Sequence, residues 1–441
     1  MDNHSPEPHD SEDDTLTPER LITQYATPNP ILDAMLLPGL NSIAWSAFEH
    51  AHGEASDVPA LLRAILSPIE HHRDFAFQLL FETVWHQGTV YSASAVTAPF
   101  LIGLLTNDAT PDKASVLQLL AALAEGHSYL AVHERTPEEI ADARVRLAMR
   151  GIDFDEELQQ ELGWVKASYN AVALGVPVFL QLLNQSDPTI YTGALYILSK
   201  LPTMGEAILP PVRQLFEMQT DRSLKAHTLR ALEAVAPATS MDIAFFNRIL
   251  QSEQDNVLRV MAAAAILKRQ GTATPSTIID LLIDVCSQFG TDDSHCYETW
   301  TVDARYYPHP WGDDKALVMA HAFAGLGLPD GAQALQTALA RITNSEIAFV
   351  FVERLLDVVY GDKKGDAIKG YTWTKEGRER IEYWIRHPTT PQQQNLLNRY
   401  QRRALSCIAD HASFWQIDTN LFEVYGLPSS RRTLREWATN S

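Results

Sequence analysis

The chain repeats itself, and a repeat the length of a helix pair restricts its folding more than anything else in the sequence. Setting Tyr91–Leu105 (YSASAVTAPFLIGLL) over Tyr169–Leu183 (YNAVALGVPVFLQLL) matches Tyr with Tyr, Ala93 and Ala95 with Ala171 and Ala173, Pro99 with Pro177, and the closing Leu-Leu pairs. The pattern recurs more weakly at Ala207–Phe216, where Pro210 leads Leu215 and Phe216 by the same spacing. Pro177 and Pro210 lie one repeat apart for helical-hairpin solenoids, whose repeats run roughly 33–47 residues. The first copy belongs to Phe75–Leu105, which reads as two apolar helices folded back across a turn. Phe77, Leu80, Phe81 and Val84 keep the spacing of one helical face, as do Ala93, Val96, Phe100 and Leu104.

The turn between them is expected to be a structural joint made of His86, Gln87, Gly88 and Tyr91. Gly88 tolerates the positive φ that ends a helix, and Thr89 has a hydroxyl suited to cap the next one. His86 is placed in the last helical turn, where the negative end of the dipole favours it, with Gln87 bonding an open carbonyl. Between the proline-marked helices lie segments rich in small residues, starting at Ala114, Tyr191, Lys225 and Val257. Small side chains let helix axes approach closely, which is how one hairpin stacks on the next.

Five segments follow. Residues 1–27 form an acidic tail poor in apolar residues and expected to be disordered. Residues 28–70 are expected to cap the array with helices, Pro59 opening the last of them. His50 and His52, two apart, would diverge on a helix, so no metal site is assigned to them. Residues 71–288 hold the repeats, interrupted near 135–162 by a charged helical insertion with Thr136 as N-cap and Pro137 at the first helical position. Residues 289–314 are a long loop whose Trp300, Tyr306, Tyr307 and Trp311 are of the types enriched at binding hot spots, and these four are the candidate partner-binding residues. Residues 315–441 are degenerate repeats ending in a cap where, from Asp362 on, 13 Lys and Arg face 9 Asp and Glu.

The alternating helices resemble HEAT repeats, and Trp45–Leu62 and Trp85–Leu101 are similar to a group of bacterial HEAT-repeat domain proteins. The resemblance runs from about Trp45 to Gln288. It implies an all-α, right-handed α-α superhelical solenoid of HEAT-like hairpins and a scaffold role; the group has no agreed activity to carry over.

With 55 Asp and Glu against 35 Lys and Arg, the formal charge of −20 repels phosphate backbones and favours a basic partner or none. Nucleic acid is not expected as a ligand. The three cysteines, Cys286, Cys296 and Cys407, make no disulfide framework and fit a reducing compartment, and the longest nearly apolar run is about half the ~20 residues of a spanning helix. A cytoplasmic protein off the membrane is expected. The sequence has no phosphate-cradling glycine loop, GxSxG, HExxH or CxxC. No catalytic residue, cofactor or metal is therefore assigned; His295, Cys296 and His309 lack zinc-ligand spacing. Three function classes remain. The first is a protein-binding scaffold with an extended acidic surface, in one form an inhibitor or immunity-type protein for a basic effector. The second is a HEAT-like enzyme, either a DNA glycosylase or a chromophore lyase; the third is a self-assembling architectural subunit. The first is preferred, because stacked hairpins create long concave surfaces and no catalytic set is visible.

Overall fold

Several helices in this chain begin where a short polar side chain takes an open amide of the first turn. Asp112, Asp187, Asp221, Thr239, Asp255 and Asn344 each accept from a backbone N–H of the helix they precede. The computed structural model describes residues 16–133, 137–286, 315–361, 397–417, 421–425 and 427–439. These residues are overwhelmingly helical, and two hairpins of two-residue strands are the sheets formed among them. The protein is all-α. The chain divides into two compact units, Met1–Tyr129 with Leu158–Val178, and Leu130–Glu157 with Phe179–Ser441, a division that cuts the expected 71–288 segment.

The first unit opens with α1 (Pro18–Ala26) and α2 (Pro30–Leu36). The expected disordered tail is therefore too long. Thr17 caps the Arg20 amide, Pro18 starts the helix, and Leu21 is 0 % exposed in a helix packed on α3 (Val58–Ala64). A segment this poor in apolar residues orders because α3 offers it a face. The expected capping helices of 28–70 are also only partly helical. After a 3-10 turn at Trp45–Ala47 comes an antiparallel hairpin of β1 (Glu49–His50) and β2 (Gly53–Glu54), with Glu49 opposite Glu54. Next come α4 (Glu70–Thr83), a second hairpin of β3 (Trp85–His86) and β4 (Thr89–Val90), α5 (Ser92–Leu105) and α6 (Lys113–Glu125). On α4, Phe77, Leu80 and Val84 are buried as expected while Phe81 is half-buried. On α5, Val96 and Phe100 are half-buried, and the buried face is Ala93, Ser94, Thr97, Ala98, Leu101, Leu104 and Leu105. The face turned because Ser94 and Thr97 hydroxyls bond backbone carbonyls and can be buried at little cost. Pro99 lies inside α5.

One polar cluster sits in this apolar unit. Arg63 of α3 reaches back to Asp33 of α2, donating from Nε to Oδ1 at 3.0 Å and from Nη2 to Oδ2 at 2.9 Å, and also donates to Asn41 and the carbonyl oxygen of Tyr25. Burial alone would raise the Asp33 carboxyl, but the hydrogen bonds from Arg63 and Asn41 take it below its ordinary value.

Past α6 come α7 (Tyr129–His133), α8 (Pro137–Ala148), α9 (Phe154–Ala173) and α10 (Val176–Leu182). The expected single inserted helix is two helices, broken where Gly151 takes a φ of 75°. Arg135 and Thr136 lie outside the described residues. The second unit continues with α11 (Pro188–Ser199), α12 (Gly205–Met218), α13 (Arg222–Val235), α14 (Ser240–Ser252), α15 (Asn256–Gln270) and α16 (Ser276–Cys286). Here the small-residue helices do what their composition requires. Helix α13 packs on α11, α12 and α15, and α15 packs on α14 and α16 with Ala262, Ala263 and Ala265 buried. Ion pairs tie different helices together, among them Lys225–Glu253 at 2.7 Å and Arg213–Asp242. The unit ends with α17 (Lys315–Ala324), α18 (Asp330–Leu339), α19 (Ser345–Tyr360), α20 (Arg399–Asp410), α21 (Leu421–Val424) and α22 (Arg431–Thr439). Among the described residues, no helix is long and apolar enough to cross a membrane.

Candidate functional site

The polar elements of the first unit gather along one edge, where its two hairpins meet. The Ala51 amide donates to the Thr83 carbonyl at the end of α4, at 3.0 Å. Ser92, the first residue of α5, accepts the Glu49 amide at 2.7 Å and donates to the Glu49 carbonyl at 3.3 Å. The first hairpin is thereby stitched to both helices that flank the second. A third stretch joins them: the Val90 amide donates to the His127 carbonyl at 3.2 Å, and the His127 amide to the Gly88 carbonyl at 2.7 Å.

The stretch expected to form a joint between two helices is a strand hairpin. His86 is in strand β3, not in a helix's last turn, and Thr89 is a buried strand residue pairing with His86, not a helix cap. Gln87 and Gly88 are the two turn residues, with φ of 49° and 95°. Two successive positive φ values match the twist of a two-residue hairpin turn, so the chain reverses within two residues, and Gln87 carries a conformation that non-glycine residues seldom adopt. Helix α5 starts at Tyr91 through Ser94, whose hydroxyl accepts the Tyr91 amide at 2.8 Å and donates to the Val84 carbonyl. Ser94 thus joins the last open carbonyl of α4 to the first open amide of α5, and it is fully buried. Sequence reading missed Ser92 and Ser94; the serine pair just after the turn was the available signal. Gly126 is needed for a different reason: a Cβ there would lie 2.1 Å from Cγ1 of the buried Val90.

Gly88 has φ of 95° and open space where a Cβ would go, so backbone strain alone penalises a side chain. We expect Gly88→Ala to lower stability by about 1 kcal/mol, read by urea titration, with the rest of the hairpin edge intact. An unchanged transition midpoint would show that the turn relaxes freely.

Rings and carboxylates line this edge. His50, His52 and His86 form a row, with ring centroids 6.1 Å apart for the first pair and 5.5 Å for the second. On a hairpin the first two histidines approach, where a helix would have separated them. Trp85 stands edge-on to Phe81 at 5.9 Å and is half-exposed, Tyr129 is 49 % exposed, and Glu49, Glu54, Glu125 and His127 are exposed. Burial, then the Glu161 carboxylate and the Tyr129 phenol, push the Tyr91 phenol up, so it stays protonated. Glu161 is itself buried and accepts from Ser128 at 2.6 Å.

Chemical nucleophiles are poorly served. Burial pushes the Cys286 thiol up to about 12 and that of Cys407 up to about 11, so both stay protonated at neutral pH. Among the described residues no group of three or more His, Cys, Asp or Glu is placed to hold a metal ion. Trp300, Tyr306, Tyr307 and Trp311, with His295, Cys296 and His309, lie outside the described residues. In the second unit an open cleft of about 590 Å³ is lined by Leu250, Gln251, Gln254 and Arg259. Its arginine is already committed to the Leu250 carbonyl and to Asn256.

No protein-family model matches the chain, and neither does any curated protein. Among the solved structures that match is the crystal structure of an engineered protein, 16 % identical over 86 % of each chain, with a TM-score of 0.32. Likeness of that degree says nothing about function and carries no weight for the fold.

Proposed function

We propose that this chain is a protein-binding scaffold whose helix pairs stack as a right-handed HEAT-like solenoid and whose hairpin edge grips a basic segment of another protein. The observation that carries the reading is the pair Glu49 and Glu54. They face each other directly across the first hairpin, both exposed, and that hairpin carries His52, whose ring lies 5.5 Å from the half-exposed ring of His86. Like charges directly opposite on a two-stranded ribbon destabilise it. A lysine or arginine from a partner would relieve that repulsion, and the neighbouring rings offer faces on which its cation can rest. The formal charge of −20 would steer such a partner from a distance, and an inhibitor or immunity-type protein for a basic effector is one form of this function.

The test is capture of partners by the full chain and by the double variant Glu49→Lys, Glu54→Lys, followed by stopped-flow association with the captured protein. We expect a basic partner whose association slows about tenfold or more in the variant and slows with added salt, with dissociation changing less. A neutral or acidic partner, or association indifferent to both charge reversal and salt, would overturn the proposal.

A further inference from the structure

His50 is held in one tautomer by two neighbours that leave it no choice. The backbone N–H of His52 points at its Nδ1 at 3.0 Å, and an N–H can only donate, so this Nδ1 carries a lone pair and no proton. Its Nε2 lies 2.9 Å from Oδ1 of Asp57 and donates to it. The ring is therefore neutral, protonated on Nε2, and buried. A second proton has one place to go, Nδ1, and putting it there breaks the bond to the His52 amide.

That bond holds more than a loop. It fixes the turn Ala51–His52, and the turn is what brings the His52 ring to 5.5 Å from the ring of His86 on the other hairpin. We propose that His50 is an acid-sensitive latch: protonation of Nδ1 releases the His52 amide, opens the first hairpin's turn and parts His52 from His86. The charges facing the latch oppose one another. Asp57, just ahead of α3, favours the imidazolium, as do Glu49 and Glu54 on the same hairpin; protonated His52 and His86 disfavour it. From α4 the Thr83 carbonyl accepts the Ala51 amide and from α5 the Ser92 hydroxyl bonds the Glu49 backbone, both uncharged, and the Glu82 carboxylate beside Thr83 accepts from Gln78. Asp57 takes the Nε2 proton's hydrogen bond, while the His52 amide decides what gives way. The consequence for binding, release of a basic partner as the edge gains positive charge and loses its shape, rests on the function proposed above; the latch does not.

The two are tested separately. In the full chain without partner, imidazole ¹⁵N shifts report the tautomer and amide exchange reports the turn, from about pH 7.5 to about pH 5, the span in which histidines ordinarily titrate. We expect the Nε2–H tautomer for His50 at the upper end, and on its titration a loss of His52 amide protection of about tenfold or more. Asp57→Asn, which keeps an acceptor and removes the charge that would stabilise the imidazolium, should move that loss of protection to lower pH. A neutral Nδ1–H tautomer, a His52 amide equally protected before and after His50 titrates, or a transition unmoved in Asp57→Asn overturns the latch. Partner affinity is then measured across the same pH range. A working latch with pH-independent binding overturns only the placement of the partner on this edge.

Discussion

Replacing Arg63 by leucine is expected to destabilise the first unit by about 3–5 kcal/mol, a large share of the stability of an ordinary domain. The guanidinium and the Asp33 carboxylate are both almost wholly buried, and the fork donates twice to that carboxylate. Leucine fills much of the volume but leaves Asp33 as a buried, uncompensated charge, along with carbonyls of α1 that have lost a donor. Arg63→Lys keeps the charge without the fork and should cost somewhat less. The double variant Arg63→Leu, Asp33→Leu removes both charges and should recover a large part of the loss, giving a strongly non-additive cycle. Urea titration of the four proteins measures this; a single-variant loss under about 1 kcal/mol would show that water reaches the pair.

Acidification is expected to weaken the second unit through His227. This side chain of α13 is 5 % exposed, and burial pushes its pKa down to about 4, opposed in part by the Asp221 carboxylate. The folded pKa lies below the unfolded value of about 6.5, so between the two the unfolded chain binds more protons. The contribution is complete above about pH 7 and is lost as pH falls from 6.5 towards 4, amounting to about 3 kcal/mol. Carboxylates titrate in the same range, so the comparison that matters is with His227→Leu. Stability of the wild-type chain should fall more steeply between pH 7 and 4.5 than that of the variant. Parallel slopes would mean that the imidazole is hydrated in the folded state.

Much of the second unit was legible because its signals are local. The alanines of Val257–Leu267 announce a helix that neighbours approach closely, and Asp221 and Asp255, one residue ahead of their helices, were local signals that sequence reading passed over. The hairpin edge was not legible in that way. Trp85–Tyr91 reads as a break between helices, and Gly88 marks its positive φ correctly. Nothing in the local pattern says that four residues around Gln87 and Gly88 will pair as strands. That pairing is closed by His127, almost forty residues further on, and by Ser94 bridging the ends of α4 and α5.

The sequence by itself determined the helical class, the positive φ at Gly88 and the acidic balance, because each depends on residues within a few positions of one another or on composition. Tertiary structure alone decided that residues 18–26 order, that His50 and His52 approach rather than diverge, and that Glu49 faces Glu54. The physical reason is the same in each case. A helix face poor in apolar residues orders only when another surface buries it, and a two-residue strand exists only when a partner satisfies its amides, here Ser92 and the carbonyl of Thr83. Such partners lie from about thirty to more than forty residues away in the chain, beyond the reach of any periodicity.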